Sequence, residues 1–152
     1  HLVAARVLGI GLRALEIGPL GATIRVQGGL ISYKKEWLLC FAGPLFNLLS
    51  AAAVALLLRG EFPRLFCPIS IMIALLNLLP LRGFDGGRML AAALGSASGP
   101  RVAEAVVSGT SLVTLIALWM LSVYLLIRFG ASLSLFVFTA SVFYRIFIEK
   151  EK

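Results

Sequence analysis

Charge is scarce in this chain, and so are most of the residues that usually carry chemistry. Only 14% of the 152 residues are Asp, Glu, Lys or Arg, and 60% are hydrophobic. An average soluble domain is about 25% charged and about 45–50% apolar. With a mean hydropathy of +0.99, a soluble globule could not hide the excess apolar surface, and a bilayer is the natural solvent. The two cysteines, Cys40 and Cys67, form no C-x-x-C pair, which excludes a zinc ribbon and a dithiol redox motif. Each lies in or beside an apolar run and reads as a small membrane residue. There is no basic stripe either. The net charge of +7 comes from lysines and arginines scattered singly between apolar runs, so nucleic acid is not the expected partner. No internal repeat and no low-complexity tract interrupts the chain. One histidine is present, His1, and alone it is a poor ligand signal.

Against that background one acidic residue stands out. The stretch from Ile69 to Leu81 is almost wholly apolar and runs through Asn77, Pro80, Gly83 and Phe84 into Asp85-Gly86-Gly87-Arg88. A carboxylate at membrane depth is expensive unless something pairs with it, and is a functional candidate by default. His1 is the expected partner, through a shared metal ion.

The spans are set by the apolar runs. Trp37 to Leu58, Leu65 to Leu81, Ala105 to Ile127 and Ala131 to Ile148 each suit a transmembrane helix of roughly 20 residues. Leu2 to Leu12, broken only by Arg6, has about half that length. It is expected to be the second half of a spanning helix that begins upstream. Arg13 to Glu36 differs in kind. It alternates (Leu15, Ile17; Ala22, Ile24, Val26) and is broken by Gly18-Pro19, Gly21 and Gly28-Gly29. Period-2 alternation with a Gly-Gly turn predicts a short β-hairpin or re-entrant loop leaning on an active-site cleft. Gly95 to Arg101 reads as a turn. The expected fold is therefore an all-α polytopic membrane protein, a single domain over 1–152. It has about four full transmembrane helices, a partial N-terminal one and a short β element.

Lysines and arginines then orient the chain. Segments 13–36, 82–101 and 145–152 hold ten, against three in the loops at 59–64 and 128. The positive-inside rule puts the β element, the Asp85 end and the C-terminus in the cytoplasm, with both candidate ligands toward that face.

A catalytic zinc takes three protein ligands and keeps a fourth position for water, whose pKa falls to about 7. If His1 is the second histidine of an H-E-x-x-H helix, the first histidine and the general-base glutamate lie just upstream. Asp85 would be the third ligand. His and Asp also suit other divalent metals.

Three elements resemble the site-2 proteases, the intramembrane zinc metalloproteases of peptidase family M50. The run from His1 to Ile10 looks like the segment immediately C-terminal to the family's metal motif. Ala42-Gly43-Pro44-Leu45-Phe46-Asn47 resembles its A-G-P-x-x-N element, and Asn77 to Arg88 resembles its N-x-x-P-x-x-x-x-D-G-G motif. They occur in family order. The interval before Trp37 is too short for an inserted PDZ domain, which points to the compact subgroup resembling stage IV sporulation protein FB. That subgroup often carries a C-terminal CBS domain, and none is expected within 1–152.

The resemblance implies roles. His1 and Asp85 would bind zinc, and Asn77 would hydrogen-bond the substrate or the oxyanion. Pro80 would leave the carbonyl of Leu76 without its helical partner. Gly86 and Gly87 would let the backbone pass close to the site, and Asn47 would buttress the cleft. The implied partners are the lipid bilayer and a membrane-associated protein substrate such as a transcription-factor precursor, with room for a membrane inhibitor or regulatory subunit. The H-E-x-x half of the motif is not in the sequence, so residues 1–152 by themselves are expected to be inactive. An exposed edge in residues 14–31 would hold an unwound substrate by strand addition.

Other readings of the same residues stand beside these. Asp85 could cap the next helix, and Asn77 could be an interhelical hydrogen-bonding side chain. Asn47 and Gly43-Pro44 suit helix packing. Arg88 suits a cytoplasmic anchor, and Glu36 and Glu104 suit ordinary span ends. Two other functional classes also fit: a catalytically inactive protease-like protein, and a small transporter in which Asp85 binds an ion or proton.

Overall fold

The structure, a computed structural model, describes residues 1–10, 12–18, 21–26, 31–129, 134–144 and 146. Helix dominates it. α1 spans Leu2–Val7, α2 Tyr33–Leu57, α3 Glu61–Asn77, α4 Asp85–Ser98, α5 Pro100–Phe129 and α6 Ser134–Phe143. Between α1 and α2, β1 (Leu12–Gly18) pairs antiparallel with β2 (Gly21–Val26), with Leu15 opposite Ile24 and Ile17 opposite Ala22. Gly18 faces Gly21 at the closed end of the ladder, so the connection falls at 19–20. The Gly28-Gly29 turn expected from the sequence lies outside the described residues.

Two helices, Tyr33–Leu57 and Pro100–Arg128, are long and apolar enough to cross a membrane. At about 1.5 Å per residue, α2 alone exceeds the roughly 30 Å of a hydrocarbon core. Only 22% and 17% of their most apolar windows are buried, unlike the mostly buried core helix of a globule. Their apolar side chains point outward instead: Leu56 is 86% exposed, Leu57 81% and Ile127 80%. Exposed apolar surface on this scale marks a face that meets lipid or a partner.

Backbone chemistry explains where the helices stop. α1 is only six residues long, shorter than the half-span expected from residues 1–12. Gly9 takes φ +65°, its N–H donates to Arg6 O, and the N–H of Ile10 donates to Ala5 O at 2.9 Å. That is a Schellman cap, completed by apolar contact among Ala5, Ile10 and Leu39. α3 ends at Asn77, short of the expected Leu81, because Pro80 has no N–H to continue the ladder and restricts Leu79. The expected opening at Leu76 does not occur. Its carbonyl accepts the Leu79 N–H at 3.1 Å, in a tightened last turn. The turn expected over Gly95–Arg101 shrinks to one residue. α4 runs on to Ser98, Gly99 breaks it at φ +87°, and Pro100 opens α5 at the position where a missing N–H costs nothing.

α2 packs on α3 and α4, and α4 packs on α5. α4 runs antiparallel to α2: Asp85 meets His1 beside Gly43, Arg88 meets Glu36, and Gly95 meets the Tyr33 ring. The segment 78–84 between α3 and α4 is anchored by Leu81. That side chain is fully buried and packs with Leu115, Val142 and Ile146, with Phe84 edge-on to Phe138 at 6.5 Å.

Candidate metal centre at His1 and Asp85

Asp85 is the first residue of α4, where a carboxylate is favoured by the helix dipole. It does not cap the helix. The N-cap is Phe84 and there is no side-chain cap bond. Its Oδ2 lies instead 3.2 Å from His1 Nε2, with the Asp85 side chain 14% exposed and the His1 side chain 36%. The other ring nitrogen is used: His1 Nδ1 lies 2.9 Å from the carbonyl oxygen of Leu39. A carbonyl only accepts, so Nδ1 carries the hydrogen that it donates; Nε2 pairs with the Asp85 carboxylate when it too carries a proton, and has a lone pair for an ion only once that proton has left. The bond to Leu39 is the outer-sphere arrangement that fixes the tautomer of a metal-binding histidine.

Gly43 completes the wall. A Cβ there would stand 2.3 Å from His1 Nε2, 2.6 Å from Cε1 and 3.2 Å from Asp85 Oδ2. Only glycine lets α2 approach the pair this closely. Gly43 is ten residues from the start of α2 at Tyr33, about 15 Å along the axis.

The two donors fit a divalent ion. Atoms each about 2.0–2.1 Å from zinc at a tetrahedral angle stand about 3.3–3.4 Å apart, close to the separation found here. Among the described residues no group of three or more His, Cys, Asp or Glu converges, so this pair alone is short of the three protein ligands of a catalytic zinc.

Gly86 and Gly87 are where the backbone is tightest. A Cβ at Gly86 would meet Leu78 O at 2.1 Å, and one at Gly87 would meet Leu81 O at 2.1 Å. α4 is therefore pressed against the irregular segment that precedes it. The asparagines are placed more loosely. Asn77 is the last residue of α3, and Asn47 lies one turn beyond Gly43 on the same face of α2. Both are half-buried. Among the described residues, neither side chain hydrogen-bonds His1 or Asp85.

Several participants carry no distinct signal in the sequence. Arg88, expected to be a surface anchor, reaches Glu36 at 3.2 Å and ties α4 to α2. Arg82 pairs with Glu104, and its guanidinium also reaches Ser108 Oγ at 3.2 Å. Both glutamates expected to be simple span ends are thus partners of arginines near the site. A cavity of about 280 Å³ lies beside them, lined by Tyr33, Glu36, Arg82, Arg88 and Glu104. A larger apolar cavity of about 480 Å³, between α5 and α6, includes neither His1 nor Asp85 in its lining. The stripe Glu104, Ser108, Ser111 at i, i+4, i+7 on α5 is the one pattern that could flag these contacts. The Leu39 carbonyl could not be found this way, because a backbone acceptor has no sequence signature. No family model matches the chain, and no curated protein aligns with it as a relative.

Proposed function

We propose that the protein is an intramembrane zinc metalloprotease that hydrolyses a peptide bond in or near a transmembrane segment of a membrane-associated protein. The observation that supports this most is the convergence of His1 and Asp85, 3.2 Å apart beside Gly43 on a long apolar helix. Each partner is positioned by other parts of the fold. The chemistry such an ion supplies is activation of a bound water near neutral pH. His1 is oriented for this by the Leu39 carbonyl, and Asp85 by the packed glycines behind it. The remaining ligand and the general base are expected from the H-E-x-x that the resemblance places immediately before His1. Asn77, at the end of α3, would hydrogen-bond the substrate or the oxyanion.

The proposed topology has four spans with the site toward the cytoplasm, as the lysine and arginine distribution favours. Segment 78–84 would be non-helical backbone at membrane depth, tolerated because protein surrounds it. The paired strands β1 and β2 would offer an edge to a substrate that must lose its helical hydrogen bonds before hydrolysis.

Two measurements test this. In the natural full-length protein, purified in detergent, Asp85→Asn should weaken zinc binding by at least about tenfold and abolish cleavage of a transmembrane substrate. Equal zinc content in both proteins would overturn the assignment. Separately, Ile24→Pro removes a backbone donor from β2 and should reduce cleavage while zinc content stays unchanged. Normal cleavage by that variant would remove strand addition from the mechanism.

A further inference from the structure

The two halves of the site hang on different helices, and the segment leading into Asp85 is held from a third, α5. His1 is seated on α2, through Leu39 O and Gly43. Asp85 comes directly after segment 78–84, which has left the helical ladder at Asn77 and contains Pro80. Such a segment needs outside partners for its backbone groups. α5 supplies them. Ser111 is completely buried, and its Oγ accepts the Arg82 N–H at 2.8 Å. Its own hydrogen goes to Val107 O at 2.6 Å. Thr110 reaches Pro80 O at 3.4 Å, and Ser108 and Glu104 take the Arg82 guanidinium. Leu81, between these two residues, is fully buried against Leu115 of the same helix. On the opposite side, Gly86 and Gly87 close on the carbonyls of Leu78 and Leu81. The backbone leading into Asp85 is thus clamped between α4 and one polar face of α5.

We infer that Ser111, supported by Glu104 through Arg82, is a positioning residue that sets where the Asp85 carboxylate stands relative to His1. It acts through the backbone of Arg82, without touching the carboxylate. This rests on the metal reading of the His1–Asp85 pair and adds to it a control point on α5. A displacement of α5 along its axis would carry segment 78–84 with it and change the spacing of the two donors, while α2 kept His1 in place.

The test compares Ser111→Thr with Ser111→Val in the natural full-length protein. The two variants add equal bulk at a buried position and differ in the hydroxyl, so packing cancels between them. Two readouts are taken: affinity for Zn²⁺ in chelator competition, and backbone hydrogen exchange over residues 78–85. Ser111→Val should bind Zn²⁺ about tenfold more weakly than Ser111→Thr, the usual scale for an outer-sphere loss. It should also exchange faster at Arg82 and its neighbours. Equal affinity and equal exchange in the two variants would overturn the inference. Asp85→Asn in the same assay separates the two ideas. If it leaves Zn²⁺ affinity unchanged, the metal reading fails, and the exchange comparison alone decides the role of Ser111. If Ser111→Val does not fold, Glu104→Gln, on the exposed end of the same face, takes its place with the same expectations.

Discussion

On the proposed metal reading, Gly43→Ala should weaken zinc binding while leaving the fold intact. The added methyl would lie 2.3 Å from His1 Nε2, where carbon and nitrogen need well over 3 Å. Something has to move by about 1 Å, and the imidazole is the movable party because it is a side chain. A metal ligand tolerates only about 0.2 Å of error. The ring would also lose its hydrogen bond to Leu39 O, and with it the fixed tautomer. The helix itself gains, since alanine is better than glycine in a helix interior by about 1 kcal/mol. The expected outcome is opposite in sign for the two properties. Zinc affinity falls by about tenfold to a hundredfold, and the thermal unfolding midpoint in detergent stays level or rises slightly. Zinc content like that of the unmodified protein would show that α2 does not form the wall of the site.

Gly86→Ala and Gly87→Ala should behave in the reverse way, with stability lost first. Here the added carbon would meet backbone carbonyl oxygens at 2.1 Å, and no rotamer can relieve that contact. Relief requires α4 to back away from segment 78–84. Overpacking of this kind costs about 1–3 kcal/mol and sometimes more, against about 1 kcal/mol regained from helix propensity. The net effect is destabilising, seen as a lower unfolding midpoint and reduced yield, with metal loss as a consequence. Gly95→Ala is the internal control. Its methyl would face the Tyr33 ring at 2.6–3.3 Å, and a ring at a helix start can yield. Near-normal stability at Gly95 and clear loss at Gly86 and Gly87 is the expected order. Equal midpoints for all three would contradict the close approach of α4.

Residue types alone make much of this legible, and the illegible part has a physical cause. Asp85 is conspicuous because a carboxylate closing an apolar run has few innocent explanations. Its link to His1 is harder to read, since the two lie far apart in sequence and only a motif resemblance joins them. Pro80 implies the break after Asn77 but not its outcome. The Leu76 carbonyl is taken by Leu79 at i+3, an option open to any helix end. Gly9 is inconspicuous because a single glycine inside an apolar run does not announce a left-handed cap. The alternation in 12–26 reads as strand, while the two glycine clusters compete for the turn and periodicity cannot choose between them. Arg82, Glu104 and Ser111 are silent because serines and stray charges near span ends are common, and their meaning depends on which helix arrives opposite.

That His1 sits on one side of the pair and Asp85 on the other has a consequence for biogenesis. During synthesis the imidazole leaves the ribosome long before the carboxylate, and α2 and α3 are made between them. A nascent chain that ends before Asp85 has no second donor, however well its earlier helices have inserted. The centre closes only when α4 folds back along α2 and α5 locks the joint. On the proposed metal reading, an unfinished product would hold only one of the two donors and could not assemble the pair.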